Sequence, residues 1–174
     1  LDTAGQKGTG KWTGISALHE GIPLTLIVKS VFARSVSSQK DERVAASKVY
    51  DISPSRAVDD KAAFIEKLQK AHYAAKIISY AQGFSLIKAA GISNDWNLNL
   101  GNIALLWRGG CIIRSAFLDK ISQAFSKNPD LQNLIMDPYF IQILNQSHQS
   151  LREVVASAAL NGIPTPSLSA ALSW

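Results

Sequence analysis

The stretch DKAAFIEKLQKAHYAAKIISYAQGFSLIKAA, from Asp60 to Ala90, decides the fold. Read at 3.6 residues per turn, Phe64, Leu68, Ala71, Ala75 and Ile78 fall on one face, and Tyr73, Ile77, Tyr80, Phe84 and Ile87 form a second apolar stripe. A helix apolar on two faces must be buried between neighbours. The segment therefore predicts one long helix at the heart of a helical domain, with Gly91 as its stop.

Working outward, the remaining punctuation is helical too. Asp137-Pro138 supplies a cap followed by proline at the first helical position, and Gly162 with Pro164 closes the pattern, which predicts a helix from Pro138 to Asn161. Asn128-Pro129-Asp130 carries the same start signal and predicts a short helix before it. Trp12 to Glu20, Pro23 to Val49 and roughly Gly101 to Phe125 complete the set, the last interrupted by Gly109-Gly110. Gly21 to Val28 is β-branched enough to mimic a strand, yet it runs directly into the helical pattern through Phe32. Tyr50 to Asp59, with Ser53-Pro54-Ser55, reads as the one flexible loop. No hairpin, βαβ unit or internal repeat is visible. The expectation is a single all-α domain over residues 1–174, built from five to seven helices.

Composition narrows the function classes. With 47% hydrophobic and 18% charged residues, the 174-residue chain has a folded, soluble composition. The single cysteine, Cys111, rules out an internal disulfide or a multi-cysteine zinc site and is expected to serve packing. No apolar run approaches the roughly 20 residues that span a bilayer, and no signal-peptide pattern opens the chain, so a cytoplasmic address without membrane contact is expected. The net charge of +5 invites nucleic acid, but basic residues are scattered and interleaved with acids, as in Lys40-Asp41-Glu42-Arg43, so no nucleic-acid partner is expected. His19, His72 and His148 stand far apart, without the spacing of a metal helix, and no metal is expected. No Ser-His-Asp or Cys-His set can be drawn.

The densest chemical signal is Gly5-Gln6-Lys7-Gly8-Thr9-Gly10-Lys11-Trp12. Glycines let backbone N–H groups converge on an anion, and lysines add compact positive charge, so residues 1–11 read as a phosphate-binding loop. A nucleotide P-loop is excluded: Trp12 stands where Ser or Thr must offer a hydroxyl to Mg²⁺, and only four residues precede the loop. No G-x-G-x-x-G appears anywhere. On pattern alone, a plain glycine turn leading into a helix accounts for the stretch equally well.

Asp2 to Thr13 resembles the signature segment of the decarboxylating 6-phosphogluconate dehydrogenase family. Four further blocks resemble that family in its order: Val31-Phe32-Ala33-Arg34-Ser35 with Lys40-Asp41-Glu42-Arg43, Ala74 to Phe84, Ile103 to Ser115, and Gly162-Ile163-Pro164 with Ala170 to Ser173. The resemblance implies the all-α, multi-helix C-terminal domain of that family. It also implies a segment of a longer polypeptide, in which an NADP-binding Rossmann domain and a stretch carrying a catalytic lysine and glutamate come first. A C-terminal tail follows and reaches into the partner subunit of a homodimer, contributing an arginine and a histidine. Catalytic residues are then expected outside this segment, and NADP is expected to be bound mainly by the missing N-terminal domain.

By the same resemblance, Lys7 and Arg34 bind the phosphate of 6-phosphogluconate, with Thr9 and the loop N–H groups satisfying remaining oxygens. Arg34 on sequence grounds alone reads as a surface ion pair. Lys11 is a weaker candidate, and Arg108 and Arg114 are expected in buried ion pairs. The implied activity is oxidative decarboxylation to ribulose 5-phosphate in the pentose phosphate pathway. A catalytically inert helical dimerisation module, or a sugar-phosphate-binding module without chemistry, would share the same features.

Overall fold

The structure is a computed structural model that describes residues 2–50 and 58–174. Among them all regular structure is helical: α1 Thr9–His19, α2 Thr25–Ser38, α3 Lys40–Ala46, α4 Lys61–Ser93, α5 Leu100–Leu106, α6 Leu118–Lys127, a 3-10 turn Leu134–Met136, α7 Pro138–Leu160 and α8 Pro166–Ser173. Most of the loop expected between Tyr50 and Asp59 lies outside the described residues. No described helix is long and apolar enough to cross a membrane.

Helix α4 is the axis of the fold. Asp60 caps it by accepting the Ala63 N–H at 3.0 Å, and its 33 residues extend for about 50 Å. Its two apolar stripes sort into two separate cores. Ala71, Ala75 and Ile78 pack with Leu26 of α2, Leu151 and Val154 of α7 and Ala171 of α8. On the other side Ile77, Ala81 and Phe84 meet Leu100 and Ala104 of α5, Ile121 and Phe125 of α6, and Phe140 of α7. The second core is tied by aromatic edges: Phe117 meets Tyr73, Tyr80 and Phe140 edge-on, with ring centroids 4.9 to 6.3 Å apart. Leu68 departs from the expected stripe and is exposed.

Several boundaries differ from the sequence reading. Helix α4 passes through Gly91 to Ser93, because Gly91 keeps an ordinary helical backbone and serves packing: a Cβ there would sit 2.7 Å from Leu98 Cδ1. The predicted helix from Gly101 to Phe125 is two helices, α5 and α6, parted at Gly109-Gly110, where Gly110 takes a φ of 69°. Cys111 therefore lies in the connection and not in a packed helix. Pro23 to Val49 likewise divides at Gln39 into α2 and α3. Asn128 accepts the Asp130 N–H and makes a turn, and the short helical element forms later, where the Asn133 side chain accepts the Ile135 N–H at 3.1 Å. Helix α7 matches its expected span: Asp137 accepts the Tyr139 N–H at 3.0 Å, and at the far end Ile163 N–H reaches the Ala158 carbonyl across a left-handed Gly162. Proline at the first turn of α8 was the unread signal for an eighth helix.

Candidate functional site

The site begins with how α1 and α2 meet. Leu24 precedes α2 and has no side chain able to cap it, so the first N–H groups of α2 need an acceptor from elsewhere. Gln82 of α4, one per cent exposed, provides it: Oε1 accepts the Leu26 N–H at 3.0 Å and Nε2 donates to Thr25 Oγ1 at 3.0 Å. Helix α1 then lies close against α2 through Gly10 and Gly14, one turn apart. A Cβ at Gly10 would meet Val31 Cγ2 at 2.6 Å, and one at Gly14 would meet Val28 Cγ2 at 3.1 Å. Val31 is one turn before Arg34, so this contact brings the start of α1 to the face of α2 that carries the arginine.

The loop that enters α1 is held by side chains. Residues 2–7 have neither helix nor strand, and their tethers run to α2 and α3. Ala4 N–H donates to Ser37 Oγ at 3.0 Å, and Arg34 donates from Nε to the Gly5 carbonyl at 2.8 Å, with Nη2 on the same oxygen. Arg43 donates to the Asp2 carbonyl at 2.5 Å and pairs with the Asp2 carboxylate at 2.9 Å, while Lys40 approaches that carboxylate at 3.3 Å. The Arg43 hydrogen bond, then that of Lys40, holds the Asp2 carboxyl below its ordinary range. Gln6 Oε1 accepts the Gly8 N–H at 2.8 Å, and Gly8 turns the chain into α1 at a φ of 108°, which disfavours any side chain.

This geometry brings together the residues singled out from the sequence. Lys7 is exposed, two residues beyond the carbonyl that Arg34 grips, which keeps its Cα within about 7 Å of that of Gly5. Among the described residues no side chain pairs with the Lys7 ammonium. Thr9 opens α1, whose first turn holds no acid and receives no side-chain cap, so the positive end of the helix faces outward beside Lys7. Arg34 differs from the surface ion pair expected on sequence grounds alone: it braces the glycine loop. Lys7, Thr9 and Arg34 line an open shelf beside two clefts, one bounded by Gly10, Lys11 and Val31 and the other by Asp2, Ala33, Ser37 and Arg43.

Other candidates sort differently. Lys11 stands over the Trp12 ring at 5.1 Å and not toward the loop. Arg108 pairs with Asp119 at 2.6 Å, but both are about half exposed, so the expected buried ion pair is a surface one. Arg114 is exposed as well. His19, His72 and His148 are all on the surface, and no group of three or more His, Cys, Asp or Glu converges among the described residues. The sequence reading missed Gln82, Ser37, Asp2 and Arg43. A lone glutamine within an apolar stripe was a visible signal for the first, but the others are joined only by the fold.

Comparison with known proteins gives the same assignment along the whole chain. Residues 1–174 match the family described as 6-phosphogluconate dehydrogenase, C-terminal domain. A 6-phosphogluconate dehydrogenase, decarboxylating, from Staphylococcus epidermidis is 54% identical over 174 residues, and one from Staphylococcus aureus 55% over 175; each match covers 100% of this chain and 37% of the relative. The chain thus spans a little over a third of these relatives. Among solved structures, 6-phosphogluconate dehydrogenase from Plasmodium falciparum, described in apo form, with its cofactor NADP+ and with its substrate 6-phosphogluconate, superposes with a TM-score of 0.92 at 41% identity. That match covers 99% of this chain and 38% of the other.

Proposed function

This chain belongs to the 6-phosphogluconate dehydrogenase family, within its C-terminal domain, and on that premise we propose that it is the phosphate-gripping and dimer-packing segment of a cytoplasmic, NADP-dependent enzyme converting 6-phosphogluconate to ribulose 5-phosphate. The 3-hydroxyl is oxidised by hydride transfer to NADP, the resulting β-keto acid loses CO₂, and the enediol tautomerises. Proton transfers belong to a lysine and a glutamate outside this segment. The described residues contain no strand and no glycine-rich strand-to-helix turn, so they do not suit a dinucleotide, and NADP binds elsewhere in the polypeptide.

The observation that carries this reading is Arg34 on Gly5. It ties a guanidinium to the loop that presents the Lys7 ammonium, unpaired among the described residues, and the uncapped start of α1. A phosphate on that shelf meets point charge from Lys7, the Thr9 hydroxyl, helix N–H groups and the remaining Arg34 donors. Gripping the non-reacting end uses remote binding energy to hold the reacting carbon in place. Exposed Trp12, Leu18, Leu106 and Ile112 supply apolar surface for the homodimer.

The test is kinetic, in the full-length enzyme. Arg34→Ala and Lys7→Ala each remove a charge-assisted contact worth about 1.5–3 kcal/mol, which raises KM for 6-phosphogluconate by roughly ten- to a hundredfold, with KM for NADP unchanged. A substrate analogue lacking the phosphate is expected to bind poorly to the wild type and to lose little more in either variant. Equal weakening of phosphorylated and unphosphorylated substrates would reduce both residues to structural roles.

A further inference from the structure

We infer that Arg43 is a positioning residue for the phosphate grip, acting with Asp2 and Ser37 as a latch that fixes the glycine loop against the end of α2. The inference rests on the reading of that loop given above and assigns a role to residues that touch no substrate.

Residues 2–7 belong to no helix or strand, and among the described residues their main chain makes no hydrogen bond to another main-chain group. Their placement is therefore set by side chains, and Arg43 is the hub. Its Nη2 reaches the Asp2 carbonyl, the Asp2 carboxylate and the Ser37 carbonyl at 2.5, 2.9 and 2.9 Å, and its Nε donates to the Val36 carbonyl at 3.1 Å. Ser37, fixed through its carbonyl, accepts the Ala4 N–H through its hydroxyl. One half-buried cation thus closes a ring from the last turn of α2 to residues 2 and 4. It sits 41 residues along the chain from Asp2, so no local preference can replace it. The latch anchors residues 2 and 4 and Arg34 anchors residue 5, so only Gln6 separates the last anchor from Lys7, and the latch helps to fix the main chain from which the Lys7 side chain extends. A lysine at position 43 would keep one point charge for Asp2 but lacks the planar fork that serves several oxygens at once.

The test uses the full-length enzyme with 6-phosphogluconate and NADP. Arg43→Ala is expected to raise KM for 6-phosphogluconate about five- to thirtyfold, with KM for NADP unchanged and kcat within about threefold. Arg43→Lys should recover part of that loss. Hydrogen exchange at the Ala4 amide should quicken in Arg43→Ala while α4 stays protected, a signature that general unfolding does not give. Should Arg43→Ala fail to fold, Asp2→Asn removes the ion pairs and leaves the carbonyl, and a rise of about two- to fivefold is expected. If Lys7→Ala and Arg34→Ala leave KM unchanged, the grip itself is wrong and the latch falls with it. If they raise KM while neither Arg43→Ala nor Asp2→Asn does, the grip stands and the latch alone is overturned. An equal rise in KM for NADP would also overturn it.

Discussion

Replacing Gln82 with methionine isolates the way α4 starts α2. Methionine has a similar length and fills the same buried space, yet it cannot accept the Leu26 N–H that Gln82 now receives at 3.0 Å. Two hydrogen bonds disappear, with unequal consequences. Thr25 is exposed, so water replaces the amide that donated to its hydroxyl, and that loss is close to neutral. Leu26 is buried in the core, and its amide is left without a partner at a cost of about 1–3 kcal/mol. The penalty falls on the first turn of α2, whose remaining turns are held by their own hydrogen bonds. Amide exchange in the intact protein, read by mass spectrometry on a peptide covering Leu24 to Val28, is therefore expected to accelerate about five- to a hundredfold in Gln82→Met. Thr25→Val, which strips the buried Gln82 Nε2 of its acceptor, should destabilise by about 1–3 kcal/mol while leaving the Leu26 amide capped. If Gln82→Met left exchange of that peptide at the wild-type rate, the capping argument would be refuted, and Gln82 would be a residue buried without consequence.

Two further perturbations probe other parts of the fold. Gly10→Ala drives a Cβ to 2.6 Å from Val31, a β-branched side chain with little room to turn, so a strain of about 1–3 kcal/mol exceeds or cancels the roughly 1 kcal/mol gained in helix propensity. At Gly14 the 3.1 Å approach is milder and the same change should be neutral or stabilising; paired thermal melts decide, and Gly10→Ala melting higher than Gly14→Ala would contradict the packing. Burial, reinforced by the hydrogen bond with Tyr139, pushes the Tyr73 phenol up to about 12 from the ordinary 10.0. Because the fold prefers the neutral phenol, its contribution to stability is fully present below pH 10 and is lost as the pH rises toward 12. A tyrosinate absorbance titration that finds Tyr73 ionising at its ordinary value would refute this.

The architecture was legible wherever a single helix recorded its own surroundings. The stripes of α4 are written at 3.6-residue spacing, so the two cores follow from the segment itself. The break between α5 and α6 was half legible: Gly109-Gly110 marked the place, but the apolar run from Ile103 to Trp107 and on through Ile112 and Ile113 preserved the look of one helix. What ends α5 is tertiary, since Trp107 turns onto Phe84, with ring centroids 5.2 Å apart. The site divides in the same manner. Lys7 stood out as charge inside a glycine loop, but Arg34 was legible only through the family resemblance, since on sequence grounds alone it reads as a surface ion pair. Arg43 did not stand out, because Lys40-Asp41-Glu42-Arg43 is indistinguishable from any solvated helical run until the chain returns to Asp2. A bond across 41 positions has no period.

The close crossing of α1 and α2 bears on how such sequences are interpreted. Gly10 has no side chain because Val31 leaves no room for one, whether or not an anion ever visits the shelf. A descendant that had abandoned catalysis but kept this helix pair would retain much of the glycine-rich signature and look like a working enzyme to any motif search. Gly8 and Gly10 vouch for architecture; on the function proposed above, Lys7 and Arg34 are the letters to read for chemistry. A chain with the former and without the latter is better assigned to the fold than to the reaction.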